Sequence, residues 1–129
     1  MDDKKAILIE RIKTTIIEMV HHSSEEMIKV NFSNYLSEKL NKDYTYLANL
    51  FSEVQGTTIE QFTIAHKIER IKELIIYDEL NITEIAWKMN YSSVAHLSHQ
   101  FKIATGFTPS HFKQLNRKRR NTPANVWMM

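Results

Sequence analysis

Cysteine is absent from the sequence, which excludes a disulfide framework, thiol chemistry and cysteine-ligated zinc. Glycine and proline are scarce, with two of each in 129 residues. Few positions therefore interrupt regular backbone, and since no β-rich alternation occurs either, the chain reads as almost wholly helical. There is no glycine-rich phosphate loop, nucleophile elbow or carboxylate dyad. The expectation is no catalytic residue, no cofactor and no enzyme. No apolar run approaches the roughly 20 residues of a membrane span. The first residues, MDDKKAILIERIK, are acidic and then amphipathic, so a signal peptide is not expected, and the predicted location is cytoplasmic, without a membrane partner.

What is present is a folding composition, 43% hydrophobic, of a length that suits one compact unit. The formal net charge of +2 says little until it is divided. Residues 1–80 hold 10 Lys/Arg against 14 Asp/Glu, a net −4, whereas residues 81–129 hold 7 Lys/Arg against Glu84 alone, a net +6. Four of those cations form one run, Arg117-Lys118-Arg119-Arg120. Such asymmetry fits an electrostatic footprint for a polyanion, although a solvated basic tail has the same composition.

The most informative stretch runs from Asn81 to Lys113. Asn81 is placed to cap a helix, with Glu84 completing a capping box. Ile82, Ile85, Ala86 and Met89 give that helix one apolar face. Asn90 ends it, because asparagine tolerates the left-handed conformation of a sharp exit. Ser92 or Ser93 then caps a second helix with Val94, Leu97 and Phe101 inward. Gly106 stops it, and Thr108-Pro109 opens another. Two short helices across a tight turn form a helix-turn-helix, which presents its second helix to the major groove of DNA.

Ile85-Ala86, Asn90-Tyr91, Leu97, Phe101-Lys102, Gly106 and Thr108-Pro109-Ser110 resemble the signature of the AraC/XylS transcription regulators. Asn90-Tyr91 stands where the family pattern has Gly-Phe, a change that keeps both the backbone conformation and the apolar slot. The family carries two such modules, and an internal repeat supplies the other one. Leu36–Asn41 aligns with Ile85–Asn90 at an offset of 49 residues. Leu47, Phe51, Gly56 and Phe62 align with Leu97, Phe101, Gly106 and Phe112 at an offset of 50, so one residue is added in the second turn.

The predicted architecture is all-α and homeodomain-like, with about seven helices. Residues 1–115 form the double helix-turn-helix domain, with a first module at about 31–57, a linker helix at about 58–77 and a second module at about 81–114. Ahead of these, residues 4–22 read as an amphipathic helix burying Ile7, Leu8, Ile12, Ile16, Met19 and Val20. Packing within the domain is its expected role, and dimerisation the alternative. A polar break at 23–26, an apolar segment at 27–30 and a cap at Asn31 follow. The linker helix places Ile59, Phe62, Ile64, Ile68, Ile71, Leu74 and Ile75 on its apolar side. About 19 residues give roughly 28 Å, a little under the turn of about 34 Å that separates successive grooves on one face. His66 reads as packing or surface. Residues 116–129 are expected to form a basic, disordered tail, with Trp127 docking as the minority reading.

Helical phase turns Thr45, Ala48, Asn49 and Ser52 outward on the first reading helix, and Ala95, Ser98, His99 and Lys102 on the second, with His96 at the edge. By resemblance these are base-contacting positions. Asn49 suits adenine, Thr45 or Ala95 a thymine methyl, and His99 a guanine acceptor or phosphate. Ser92, Ser93, Lys102, Tyr44 and Arg117 to Arg120 suit phosphates, with Tyr46 a further candidate. Neither reading helix exposes an arginine, and Glu38, Asp43 and Glu53 surround the first. The second module and the basic run are therefore expected to supply most affinity. The pairs His21-His22 and His96/His99 lack a companion carboxylate or cysteine, so no metal is expected. Double-stranded DNA is the expected partner of a monomer, with RNA polymerase or another regulator as further candidates and a dimer through residues 4–22 as the other state. A protein-interaction module that has lost sequence-specific reading is the alternative function. Only about 30 residues precede the first module, too few for a ligand-binding domain, so control by abundance or by a protein partner is the expectation.

Overall fold

A computed structural model describes residues 3–21, 32–77 and 80–120, the side chains of 118–120 excepted. Among the described residues there are seven helices and no strand: α1 Asp3–His21, α2 Phe32–Leu40, α3 Tyr44–Gln55, α4 Ile59–Ile76, α5 Ile82–Lys88, α6 Val94–Thr105 and α7 Pro109–Arg120. The architecture is the all-α double helix-turn-helix that the sequence predicts. The chain divides into two compact units, Met1–Lys67 and Ile68–Met129, and α4 contributes residues to each. The polar break, the 27–30 segment, the Asn31 cap, His22 and the residues from Asn121 onward, Trp127 included, lie outside the described residues.

In the first unit α1 packs on α2 and α3. It buries Leu8, Ile9, Ile12, Thr15, Ile16 and Val20. The expected stripe is corrected at Ile7, which is 61% exposed and whose place Ile9 takes at 2%, and Met19 is only half-buried. Residues two apart on a helix point about 200° away from each other, so only one of the two can face the core. The Thr15 hydroxyl donates to the Arg11 carbonyl at 2.7 Å, which lets a polar residue share that face.

The repeat found in the sequence is a repeat of structure. Leu36, Leu40, Leu47 and Phe51 are buried in the first module, and Ile85, Met89, Leu97 and Phe101 in the second. Both first helices end through an asparagine with positive φ, Asn41 at 54° and Asn90 at 60°. Beyond Asn41 the Lys42 amide donates to the Ser37 carbonyl. Beyond Asn90 the Tyr91 amide donates to Ala86, and the Asn90 amide itself to Trp87, which satisfies two of the terminal carbonyls of α5. Both second helices end at a left-handed glycine, Gly56 at φ 71° and Gly106 at φ 85°, bonded back to Ser52 and Lys102. The extra residue of the second module falls between exit turn and next cap, where Tyr91-Ser92 stands in place of Lys42.

The capping box at Asn81 is present in full. The Asn81 side chain accepts from the Glu84 amide at 2.8 Å, and the Glu84 carboxylate accepts from the Asn81 amide at 3.2 Å. In α4 the buried residues are Ile59, Thr63, Ile68, Ile71, Leu74 and Ile75, while Phe62 and Ile64 are half-buried. The boundary drawn at residue 115 falls inside α7, which continues to Arg120. Gln114 to Arg120 contains no glycine or proline, and its lysine and arginines are good helix formers, so nothing ends the helix where the charge begins.

Nothing lies within 4 Å of a Cβ built on Gly106, so Gly106→Ala meets only conformational strain. It should lower stability by about 1 kcal/mol in chemical denaturation. Asn90→Gly should be tolerated, and Asn90→Ala should cost about as much as the glycine replacement.

Candidate nucleic-acid interface

The second helix of each module is positioned from below by one aromatic. Phe51 of α3 meets Phe62 of α4 edge-on, with ring centroids 5.4 Å apart at 70°. Phe101 of α6 meets Phe112 of α7 at 5.6 Å and 70°. With these rings buried, the opposite side of each helix is left to solvent. On α3, Thr45 and Asn49 are exposed, and Ala48 and Ser52 half-buried. On α6, Ala95, His96, His99 and Lys102 are exposed, and Ser98 half-buried. Val94, expected inward, is also half-buried, at the first position of α6 where the helix has not yet turned its face to the core. Sequence reasoning omitted Ile103, 72% exposed beside Lys102. Its repeat equivalent is Glu53, and that pairing was the available signal that the fold does not require an apolar residue there.

The helix N-termini differ in charge. Asp43 caps α3, its carboxylate accepting from the amides of Thr45 at 3.1 Å and Tyr46 at 3.4 Å. Ser93 caps α6, its hydroxyl accepting from the His96 amide at 3.0 Å. The carboxylate stabilises its helix through the dipole yet repels an incoming phosphate; the neutral serine leaves the dipole available. Of the two serines offered as caps, Ser93 is the cap. Ser92 lies 3.1 Å from Nδ1 of His96 instead, which leaves Nε2 as the ring nitrogen free to face outward. The Tyr91 ring stands edge-on to His96 at 5.1 Å, and its hydroxyl donates to Oε1 of Gln100 at 2.5 Å. Burial pushes the Tyr91 phenol up to about 12, so it remains a donor throughout the neutral range.

Tyr44 stands differently from its expected role. Its hydroxyl donates to Oε1 of Glu60 at 2.6 Å. Burial, with that bond and the carboxylate charge behind it, raises the phenol above its ordinary range. An acidic partner makes this a poor phosphate contact. Tyr46 is 45% exposed and makes no side-chain hydrogen bond among the described residues. The His66 ring packs against Phe62, with centroids 4.5 Å apart and planes tilted by 49°. Arg117 is exposed on α7, whereas the side chains of Lys118, Arg119 and Arg120 lie outside the described residues. Among the described residues no cluster of three metal-ligating side chains occurs, and no helix is long and apolar enough to cross a membrane.

The bond from Tyr44 holds the Glu60 carboxyl below its usual range, with its own backbone bond second. The associated stability is present above the unfolded carboxyl pKa and is lost as pH falls through the folded value. Tyr44→Phe should raise the Glu60 midpoint in an NMR titration and shrink that acid-side dependence.

A model of a helix-turn-helix domain matches residues 36–115. The xylose operon regulatory protein of Escherichia coli K12 is 26% identical over 101 residues, covering 78% of this chain and 26% of that protein. The C-terminal domain of AraT, a response regulator from Geobacillus stearothermophilus, is similar in structure, with a TM-score of 0.71, 24% identity and 84% of each chain covered. The DNA-binding domain of AdpA, a global transcriptional factor solved in complex with a target DNA, gives a TM-score of 0.71 at 16% identity, over 89% of this chain and 97% of that one. The chain spans between 14% and 34% of the length of the curated relatives it matches. These relatives and neighbours are transcriptional regulators, not enzymes.

Proposed function

The chain belongs to the AraC/XylS family of helix-turn-helix transcription regulators, and from that premise we propose that it binds double-stranded DNA sequence-specifically, reading two successive major grooves with α3 and α6. The observation that carries this reading is the repeat. Two modules keep the same buried anchors and the same exits, and each leaves a polar, exposed row on its second helix. A structural neighbour solved on DNA supports the same partner.

In the proposed division of roles, Asn49 offers an amide for paired contacts to adenine, with Thr45 and Ala95 against thymine methyls. His99 and His96 Nε2 reach guanine acceptors or phosphate. Lys102, the Ser92-Ser93 turn and the α7 cations hold the backbone. The neutral cap and the basic α7 support a larger share of the affinity for the second module than for the first, whose reading helix starts from Asp43. Binding as a monomer is part of the proposal. A protein partner, RNA polymerase or another regulator, is supported by Trp87, which is 84% exposed where the first module has Glu38.

Selection from a random duplex pool should enrich two boxes about one helical turn apart. His99→Ala should weaken the enriched site by about 1–3 kcal/mol and relax one position of the motif, and Asn49→Ala should cost less. Replacing Arg117, Lys118, Arg119 and Arg120 with glutamine should flatten the salt dependence without altering the motif. A single enriched box would confine reading to one module, and no enrichment would leave a protein-binding scaffold as the better account.

A further inference from the structure

We infer that the first unit carries its own phosphate-anchoring site, a cationic cleft between α1 and the start of α3 that takes the DNA backbone beside the box read by α3. An open cleft of about 290 Å³ is lined by Lys4, Lys5 and Arg11 of α1, Lys42 of the α2–α3 turn and Tyr46 of α3, over Ile7 and Leu8. Helical spacing assembles it. Lys4 and Arg11 are seven residues apart, two turns of helix, so both fall on the face that also carries Leu8. Ile7, displaced from the core, lines this cleft instead. Lys42 arrives from the far side because Asn41 turns the chain sharply with its positive φ.

The chemistry of the cleft points to an anion. Lys5, Arg11 and Lys42 are exposed and make no ion pair among the described residues. Two acids of the flanking segments are otherwise engaged: Glu10 faces Lys13 at 3.5 Å, and the Asp43 carboxylate accepts from two amides of its own helix. Cations gathered in one cleft repel one another, and a phosphate relieves that repulsion. Tyr46 adds a hydroxyl donor with no partner among the described residues, whereas Tyr44 is held by Glu60. Tyr46 follows Thr45 directly on α3, so an anion bound here flanks the bases facing Thr45 and Asn49. Backbone contacts position a protein and carry no sequence information. The site therefore supplies the cations that α3 itself lacks.

This inference rests on DNA binding as proposed above, and its test separates the two. Duplex affinity is titrated against salt for the full chain and for Lys5→Gln/Arg11→Gln/Lys42→Gln, with Tyr46→Phe beside it and circular dichroism melting to establish folding. The triple variant should lower the slope of log K against log salt by about 2–3 and weaken wild-type and scrambled boxes equally, with the selected motif unchanged. Lys5→Arg/Lys42→Arg should retain the wild-type slope. A folded triple variant with an unchanged slope, while the wild type binds its motif, would overturn the inference and leave the proposed function standing. A wild type that binds no duplex would sink both. A titration with tripolyphosphate distinguishes the source of the anion: tight binding that the triple variant loses, alongside an unchanged duplex slope, would assign the cleft to a free polyphosphate instead.

Discussion

In each module a buried phenylalanine ring meets, edge-on, the phenylalanine of the helix that follows, and this contact orients the module's second helix. Phe51 and Phe101 are fully buried, so the side of α3 or α6 that carries them cannot rotate outward. Edge-to-face packing adds directional preference to the hydrophobic gain. Because a helix turns 100° per residue, one fixed side chain sets the direction of every other. Thr45 and Asn49 on α3, and Ala95, His99 and Lys102 on α6, are presented to solvent as a consequence.

Around that shared scaffold the two modules differ where the fold leaves freedom. Most core positions keep their character across the repeat, from Leu36 and Ile85 to Phe62 and Phe112, with Leu50 replaced by Gln100 as an exception. The exposed ones do not: Asp43 becomes Ser93, Glu38 becomes Trp87, and Glu53 becomes Ile103. The single added residue turns Lys42 into Tyr91-Ser92, which brings the His96 ring under the control of two neighbours. Charge follows the same division. The first module gathers cations from α1 and its turn, and the second has the basic run of α7.

Much of the fold was legible along the chain because its signals are local. A capping box such as Asn81–Glu84 needs only four residues. A left-handed exit needs one asparagine or glycine, and the repeat needs only matching spacings. The outward rows of the reading helices followed from phase once Leu47, Phe51, Leu97 and Phe101 were taken as buried. Less legible was α1, where nine apolar residues compete for one face and the choice between Ile7 and Ile9 depends on what α2 and α3 offer. The end of α7 was less legible because residues 116–120 show no apolar period, whereas their lysine and arginines favour helix and carry it to Arg120.

The sequence by itself determined the helical class, the doubled module, the turns and the positions on each second helix that face away from the core, since each depends on backbone preference and periodicity over a few residues. Tertiary structure alone decided which polar groups remain available. Tyr44 and Glu60 are 16 residues apart, and only packing of α3 against α4 brings that hydroxyl within 2.6 Å of the carboxylate. Lys5, Arg11, Lys42 and Tyr46 come from three elements, and only the docking of α1 gathers them in one cleft. Hydrogen bonds and electrostatic fields act through space, so their partners are set by the fold and not by neighbours in the chain.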